Sequence, residues 1–194
     1  MNRKDFIKMG GLTISGFIIQ PKNVRAMKSI QPEAIYFKDD GIIPNNKFPL
    51  LIYHNAFSER GSKGADWLET KFGEHNWTNT WRWGVYPFHH YHSNTHEVLG
   101  VFSGSALLHL GGEKGDKINV AAGDIIVIPA GVGHKCINHS DDFTVVGAYP
   151  NGLQPDLNKG EKGERPQTDK NIAAVPLPAT DPLLGNAGLL TIWK

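Results

Sequence analysis

A single cysteine, Cys136, stands in the whole chain. That excludes an intrachain disulfide framework and any cysteine-rich zinc site. Charge of one sign is also missing. Twenty Lys and Arg face 19 Asp and Glu, for a formal net charge of +1, which removes a whole-chain electrostatic case for nucleic acid or an anionic membrane. No apolar run approaches the ~20 residues that span a bilayer. Long breaker-free stretches are absent too, because 22 Gly and 12 Pro are spread through the 194 residues. Uninterrupted helices are therefore disfavoured, and an all-β fold in one large domain is the leading expectation.

Residues 1–26 read apart from the rest. Arg3, Lys4 and Lys8 precede a weakly apolar stretch, Gly11 to Ile19, and Val24-Arg-Ala26 offers small or medium residues before a cleavage point. The opening Asn2-Arg-Lys-Asp-Phe-Ile-Lys8 resembles a twin-arginine export signal, with Lys4 in place of the second arginine. Export to the periplasm, with cleavage after Ala26, is the expectation; a frayed amphipathic helix on a cytoplasmic protein is the alternative.

Residues 27–194 read as one domain with arms. The N-terminal arm, 27–78, holds short apolar runs at Ala34–Lys38 and Pro49–Tyr53 and one short helix over Ala65–His75, where Trp67, Leu68 and Phe72 recur at helical spacing. From Thr80 to Tyr149 the text is strand-like. Runs at Trp81–His92, Glu97–Phe102, Ala106–Leu110, Lys117–Ala121, Asp124–Ile128, Lys135–His139 and Phe143–Tyr149 are separated by Gly, Asn, Asp or Ser clusters. Such spacing predicts a sandwich or barrel. Gly111-Gly-Glu-Lys-Gly115 lies between two strands and reads as a hairpin loop, not a phosphate cradle. The arm 151–194 begins as a loop with alternating Lys and Glu. It ends in apolar segments, Leu183–Trp193 among them, that pack on the barrel or on a second copy, so a homodimer is expected.

Seven of the nine histidines fall between positions 89 and 139. In a strand, residues two apart share a face, so His90 and His92 project together and His89 and Tyr91 project oppositely. Glu97 joins their side only if the chain is interrupted between them, and Ser93-Asn-Thr95 supplies a turn or bulge. Farther on, Gly123 to Ile128 reads as a buried strand running into a Pro129/Gly131 turn that delivers His134 to the next strand. Imidazole nitrogens with one carboxylate oxygen suit divalent Fe, Mn, Ni, Cu or Zn. Four protein ligands on an octahedral ion leave two positions for substrate, water or dioxygen. Parity along Trp81–His92 also puts Arg82, Tyr86 and Phe88 with His90, and Cys136 and Asn138 with His134. These five are the candidate substrate contacts, with Leu99 and Val101 as apolar wall.

Two spacings carry a family resemblance. One is Gly84, five residues, His90, one, His92, four, Glu97, six, Gly104. The other is Gly123, five, Pro129, one, Gly131, two, His134, three, Asn138. Every fixed position of both cupin motifs is present, so the core 84–138 resembles the cupin superfamily. The flanking text (Lys38-Asp-Asp-Gly41, Pro49-Leu-Leu-Ile-Tyr53, Gly147-Ala-Tyr-Pro150) is similar to bacterial single-domain cupins of unassigned function. The resemblance implies a jelly-roll β-barrel and one divalent metal, iron first, held by His90, His92, Glu97 and His134. The expected function is a small-molecule metalloenzyme of the dioxygenase or oxidoreductase type. A metal-dependent sugar or keto-acid isomerase or epimerase, and a non-catalytic small-molecule binding protein, stay open. No catalytic residue beyond the metal ligands stands out.

Overall fold

The computed structural model describes residues 30–194, so the export signal expected over 1–26 lies outside the described residues. Among the described residues nine strands are present: β1 (Glu33–Ile35), β2 (Leu50–Tyr53), β3 (Trp77–Trp83), β4 (Glu97–Ser103), β5 (Ser105–Leu110), β6 (Asp116–Ala121), β7 (Ile125–Ile128), β8 (His134–His139) and β9 (Thr144–Pro150). They form two antiparallel sheets, a six-stranded one in the order β1-β2-β7-β4-β9-β3 and a three-stranded one in the order β6-β5-β8. The non-sequential order is that of a jelly roll, and the all-β expectation holds.

Leu50, Ile52, Leu99, Val101, Leu108, Leu110, Ile126 and Ile128 meet between the sheets. The larger sheet is buried on its other face as well. Leu51, Tyr53, Val98, Val127, Val146 and Ala148 pack there against Leu68 and Phe72 of α1 (Gly61–Glu74) and against Leu189 and Trp193. Strands buried on both faces carry continuous apolar runs instead of alternation, which is how Leu50–Tyr53 and Ile125–Ile128 read. Among the described residues no helix is long and apolar enough to cross a membrane.

Two expectations change. The strand expected over Trp81–His92 ends at Trp83. Beyond it, residues 86–92 run irregularly beside β8, where Tyr86 O accepts from Cys136 N–H at 2.8 Å and His90 and His134 exchange backbone hydrogen bonds. Gly84 and Pro87 weaken a regular strand there, since glycine is entropically costly and proline has no N–H to donate. The C-terminal arm is not purely extended: it contains α2 (Gln167–Ala174) and a final turn, α3 (Leu189–Ile192). Its apolar end covers the chain's own larger sheet, where Trp193 Nε1 donates to Pro49 O at 2.9 Å. Of the two placements expected for that segment, the one on the chain's own barrel is the one seen.

Candidate metal centre

Glu97 is the first residue of β4, and the inward face of that strand continues through Leu99 and Val101. A bend at Ser93-Asn94 separates it from His92, and this is the interruption that lets a carboxylate at an odd separation face the histidines. His134 opens β8 on the inward face that continues to Cys136. Its backbone pairing with His90 puts both side chains on one side. The ring nitrogens of His90, His92 and His134 converge, one atom from each lying within 4.8 Å of the others.

The hydrogen bonds set the tautomers. Nδ1 of His92 faces the carbonyl of Asp156, Nδ1 of His134 faces Val132 O at 3.1 Å, and Nδ1 of His90 faces Phe88 O at 3.4 Å. A carbonyl only accepts, so each Nδ1 carries the hydrogen and leaves the Nε2 lone pair aimed at the common centre. Glu97 Oε2 lies 3.2 Å from His134 Nε2 and 3.5 Å from His92 Nε2. It is buried and makes no hydrogen bond among the described residues. Lone pairs facing a buried carboxylate oxygen repel unless a cation or a proton stands among them. The 3.2–3.5 Å separations suit donors sharing one ion at bonds of ~2.1 Å. The donor set therefore fits a divalent metal.

Electrostatics agree. Burial alone would raise the Glu97 pKa, but the neighbouring imidazoles of His92 and His134 outweigh it and hold the carboxyl well below its ordinary range. Burial alone would lower His92, but Glu97 outweighs it and raises that pKa. His90, farther from the carboxylate, is pushed down to about 2 by burial and by His134 and His92. A proton on His92 and a metal ion are thus competitors for the same negative oxygen.

A cavity of about 510 Å3 opens from this cluster, walled by Trp81, Trp83, Val85, Tyr86, Leu99 and Leu157. Tyr86 stands edge-on to His90 with ring centroids 5.1 Å apart and stacks on Phe88 at 4.9 Å. Of the expected substrate contacts, Tyr86 lines the cavity, whereas Phe88 stacks on Tyr86 without lining it. Arg82 borders it, yet its guanidinium is committed to Asp66 and Glu69 of α1, each at 2.7 Å. The parity that aligned Arg82 with His90 fails because the strand ends at Trp83. Cys136 is buried in the inter-sheet core with Leu108 and Val120 instead of facing the cavity, and Asn138 is exposed. Val101 is likewise core rather than cavity wall.

Sequence reading missed two features. Trp81 lines the cavity and donates from Nε1 to the Tyr149 hydroxyl at 2.8 Å; burial and the charge of Glu97 raise the Tyr149 pKa. Asp156 holds His92 through its carbonyl and Ser93 through its carboxylate, which accepts from Ser93 N–H at 2.7 Å. No local pattern signals a contact across 64 residues, least of all one made by a backbone oxygen.

Comparison with known proteins gives the same picture. Residues 84–146 match the cupin domain family. The chain is 47% identical over 165 residues to uncharacterized protein YjlB of Bacillus subtilis (strain 168), covering 84% of this chain and 97% of that protein. Similar solved structures include procruciferin, an 11S globulin from Brassica napus, at TM-score 0.34 and 22% identity over 41% of this chain and 21% of that one. Bacillus subtilis oxalate decarboxylase OxdC gives 0.35 and 19% over 57% and 27%. Acireductone dioxygenase from Bacillus anthracis, with a cadmium ion in its active center, gives 0.32 and 17% over 47% and 63%. The chain spans less than two thirds of each of these three structures. The cupin match falls on the two segments that bring the histidines together, the YjlB relationship runs over nearly all of that protein, and the chain carries a cupin domain over residues 84–146 and belongs to one family with YjlB.

Proposed function

We propose that the protein is a metalloenzyme acting on a small organic molecule, with His90, His92, Glu97 and His134 holding one divalent ion, iron first, and with oxidative chemistry of the dioxygenase type. The observation that carries the reading is the buried Glu97 Oε2, unbonded yet faced by two imidazole nitrogens. Bound by these residues, such an ion would supply open coordination positions and redox chemistry to a substrate in the cavity.

The cavity supports the choice of reaction. Isomerisation or epimerisation needs a side chain that takes and returns a proton beside the substrate. The ionisable groups in the cavity lining, apart from the four candidate ligands, suit that poorly. The Arg82 guanidinium is paired with two carboxylates. Asp156 is bound to Ser93 and Asn158, which hold its carboxyl low against the opposing effect of burial. Tyr149 has its pKa raised, and Tyr86 is packed between Phe88 and His90. The aromatic and aliphatic walls favour a ligand with an apolar body, oriented by stacking on the exposed rings of Tyr86 and Trp83. With its guanidinium already paired, Arg82 offers no free cation to anchor a phosphate.

The test is metal analysis of untagged protein, followed by oxygen-electrode assays against small phenols, diketones and enediols. We expect one equivalent of iron, its loss in the His90→Ala/His134→Ala variant, and oxygen uptake that follows the iron. Turnover of a substrate under strict anaerobiosis would replace the dioxygenase reading by the isomerase one. A folded protein that takes up no divalent metal would overturn the site itself.

A further inference from the structure

The alternation that turns His90 and His134 inward turns their neighbours outward. His90 pairs with His134, and on the next strand Leu110 pairs with His134 while His109 pairs with Lys135. His89, Lys135 and His109 therefore fall on the outer face of the three-stranded sheet, behind the inner cluster. Glu113, from the β5–β6 turn, lies over them, with Oε1 at 3.4 Å from His89 Nε2. The His89 and His109 rings lie 4.8 Å apart between centroids. One donor atom each from His89, His109 and Glu113 lies within 4.8 Å of the other two.

His89 is the telling residue. Its side chain is only 9% exposed, yet neither ring nitrogen makes a hydrogen bond among the described residues. A buried imidazole without a partner costs free energy unless something outside the chain completes it. The Nε2 atom points at a carboxylate, beside a second imidazole.

We propose that His89, His109 and Glu113 form a second, outward-facing site for a divalent transition metal of the zinc, nickel and copper group. Two imidazoles and one carboxylate, with no sulfur, are the donors those ions share. Glu113 is exposed, so water completes the coordination and exchange with solvent is open. Lys135 is the built-in competitor: its ammonium sits 2.6 Å from Glu113 Oε1 and repels a second cation at close range. A bound ion displaces it, and Lys135 is free to swing into solvent. The ion then ties the irregular segment carrying His90 and His92 to the β5–β6 hairpin.

The experiment is calorimetric titration of zinc(II) alone into untagged full-length protein that has been freed of metal with a chelator. Two zinc equivalents are expected in the parent. The His90→Ala/His134→Ala variant keeps one of them. The His89→Gln/His109→Gln variant loses that one and keeps the other. Lys135→Met retains both and binds the outer ion at least several-fold more tightly. Where the double glutamine variant fails a circular-dichroism check, Glu113→Gln on the exposed turn gives the same readout, as at least a tenfold loss. The proposal is overturned if the second equivalent survives these outer-face changes, or if Lys135→Met leaves its affinity unchanged. Loss of only the equivalent sensitive to His90 and His134 would count against the inner site and leave the outer one standing.

Discussion

Each of the three inner imidazoles shares its centre with the others because its Nδ1 is held by a backbone carbonyl, and those carbonyls come from different places. Phe88 O and Val132 O lie two residues before His90 and His134. The holder of His92, Asp156, comes from the segment after β9 and is itself fixed through its carboxylate to Ser93. Removing that carboxylate leaves the His92 contact chemically possible and mechanically loose. Outer partners of metal-bound histidines are worth about 10–100-fold in affinity. We therefore expect Asp156→Ala to weaken inner-site metal affinity by about that factor while the fold is kept, as read by competition with a chromophoric chelator. Unchanged affinity would mean that the His92 ring is set by packing alone. That His90, His92 and His134 would converge, with Glu97 beside them, was legible in the sequence because strand alternation, a turn and the cupin spacing all point there. Their holders were not, because a carbonyl oxygen carries no residue identity and Asp156 looks like any loop aspartate. The pairing of Arg82 with Asp66 and Glu69 was not legible for a related reason: alternation extrapolated through Gly84 and Pro87 assumes a strand that those two residues do not sustain.

At the scale of elements, β4 decides how closely α1 can approach the larger sheet. Its outward residues are Val98 and Gly100, and a Cβ on Gly100 would stand 2.5 and 2.7 Å from the two δ-carbons of Leu68. Leu68 is fully buried, so it cannot swing away. Gly100→Ala should therefore cost about 1–3 kcal/mol by overpacking, and Leu68→Ala about 2–5 kcal/mol by leaving a cavity. Combined, they should cost clearly less than their sum, because the new methyl enters the space the leucine leaves. Urea unfolding of the four proteins measures this, and strict additivity would show that α1 does not dock on Gly100. The helix was readable from Trp67, Leu68 and Phe72, though it begins at Gly61, four residues ahead of the expected start. Helix α2 was not readable. Its neighbourhood of Lys, Glu, Gly and Pro carries no apolar stripe, and only Thr168 of its residues is buried. It is held by tertiary contacts instead: the Thr168 hydroxyl accepts from Tyr91 at 3.2 Å, and Asn171 donates to Ser93 Oγ at 3.0 Å.

Across the whole molecule, the chain's end is locked to its middle. Asp181, wholly buried, accepts from the backbone N–H groups of Leu183, Leu184 and Leu189 and from the Tyr53 hydroxyl. His96 makes a second lock. Its Nδ1 accepts from Ala130 N–H at 3.0 Å, its Nε2 faces Pro176 O at 3.3 Å, and its ring lies 4.9 Å from Trp193 between centroids. The β7–β8 turn, the arm and the C-terminal tryptophan thus meet on one neutral imidazole, and burial lowers its pKa from 6.5 to about 4. An unfolded chain takes up that proton near 6.5 and the folded one only near 4, so between those values the unfolded state binds more protons. The contribution of His96 is therefore fully present above about pH 6.5 and declines as pH falls toward 4, by up to about 1.4 kcal/mol per pH unit. His90 acts in the same direction and His92 in the opposite one, so the comparison that isolates His96 is parent against His96→Gln. We expect urea-unfolding stability of the metal-free parent to fall between pH 6.5 and 4 more steeply than that of the variant, by up to about one proton's worth of slope. At pH 8 the variant should be the weaker protein by about 1–3 kcal/mol, because the buried Ala130 N–H has lost a well-placed acceptor. Parallel pH profiles would mean that protonated His96 is accommodated without breaking its contact to Ala130, and that the lock on the C-terminal segment is carried by Asp181 and Trp193 alone.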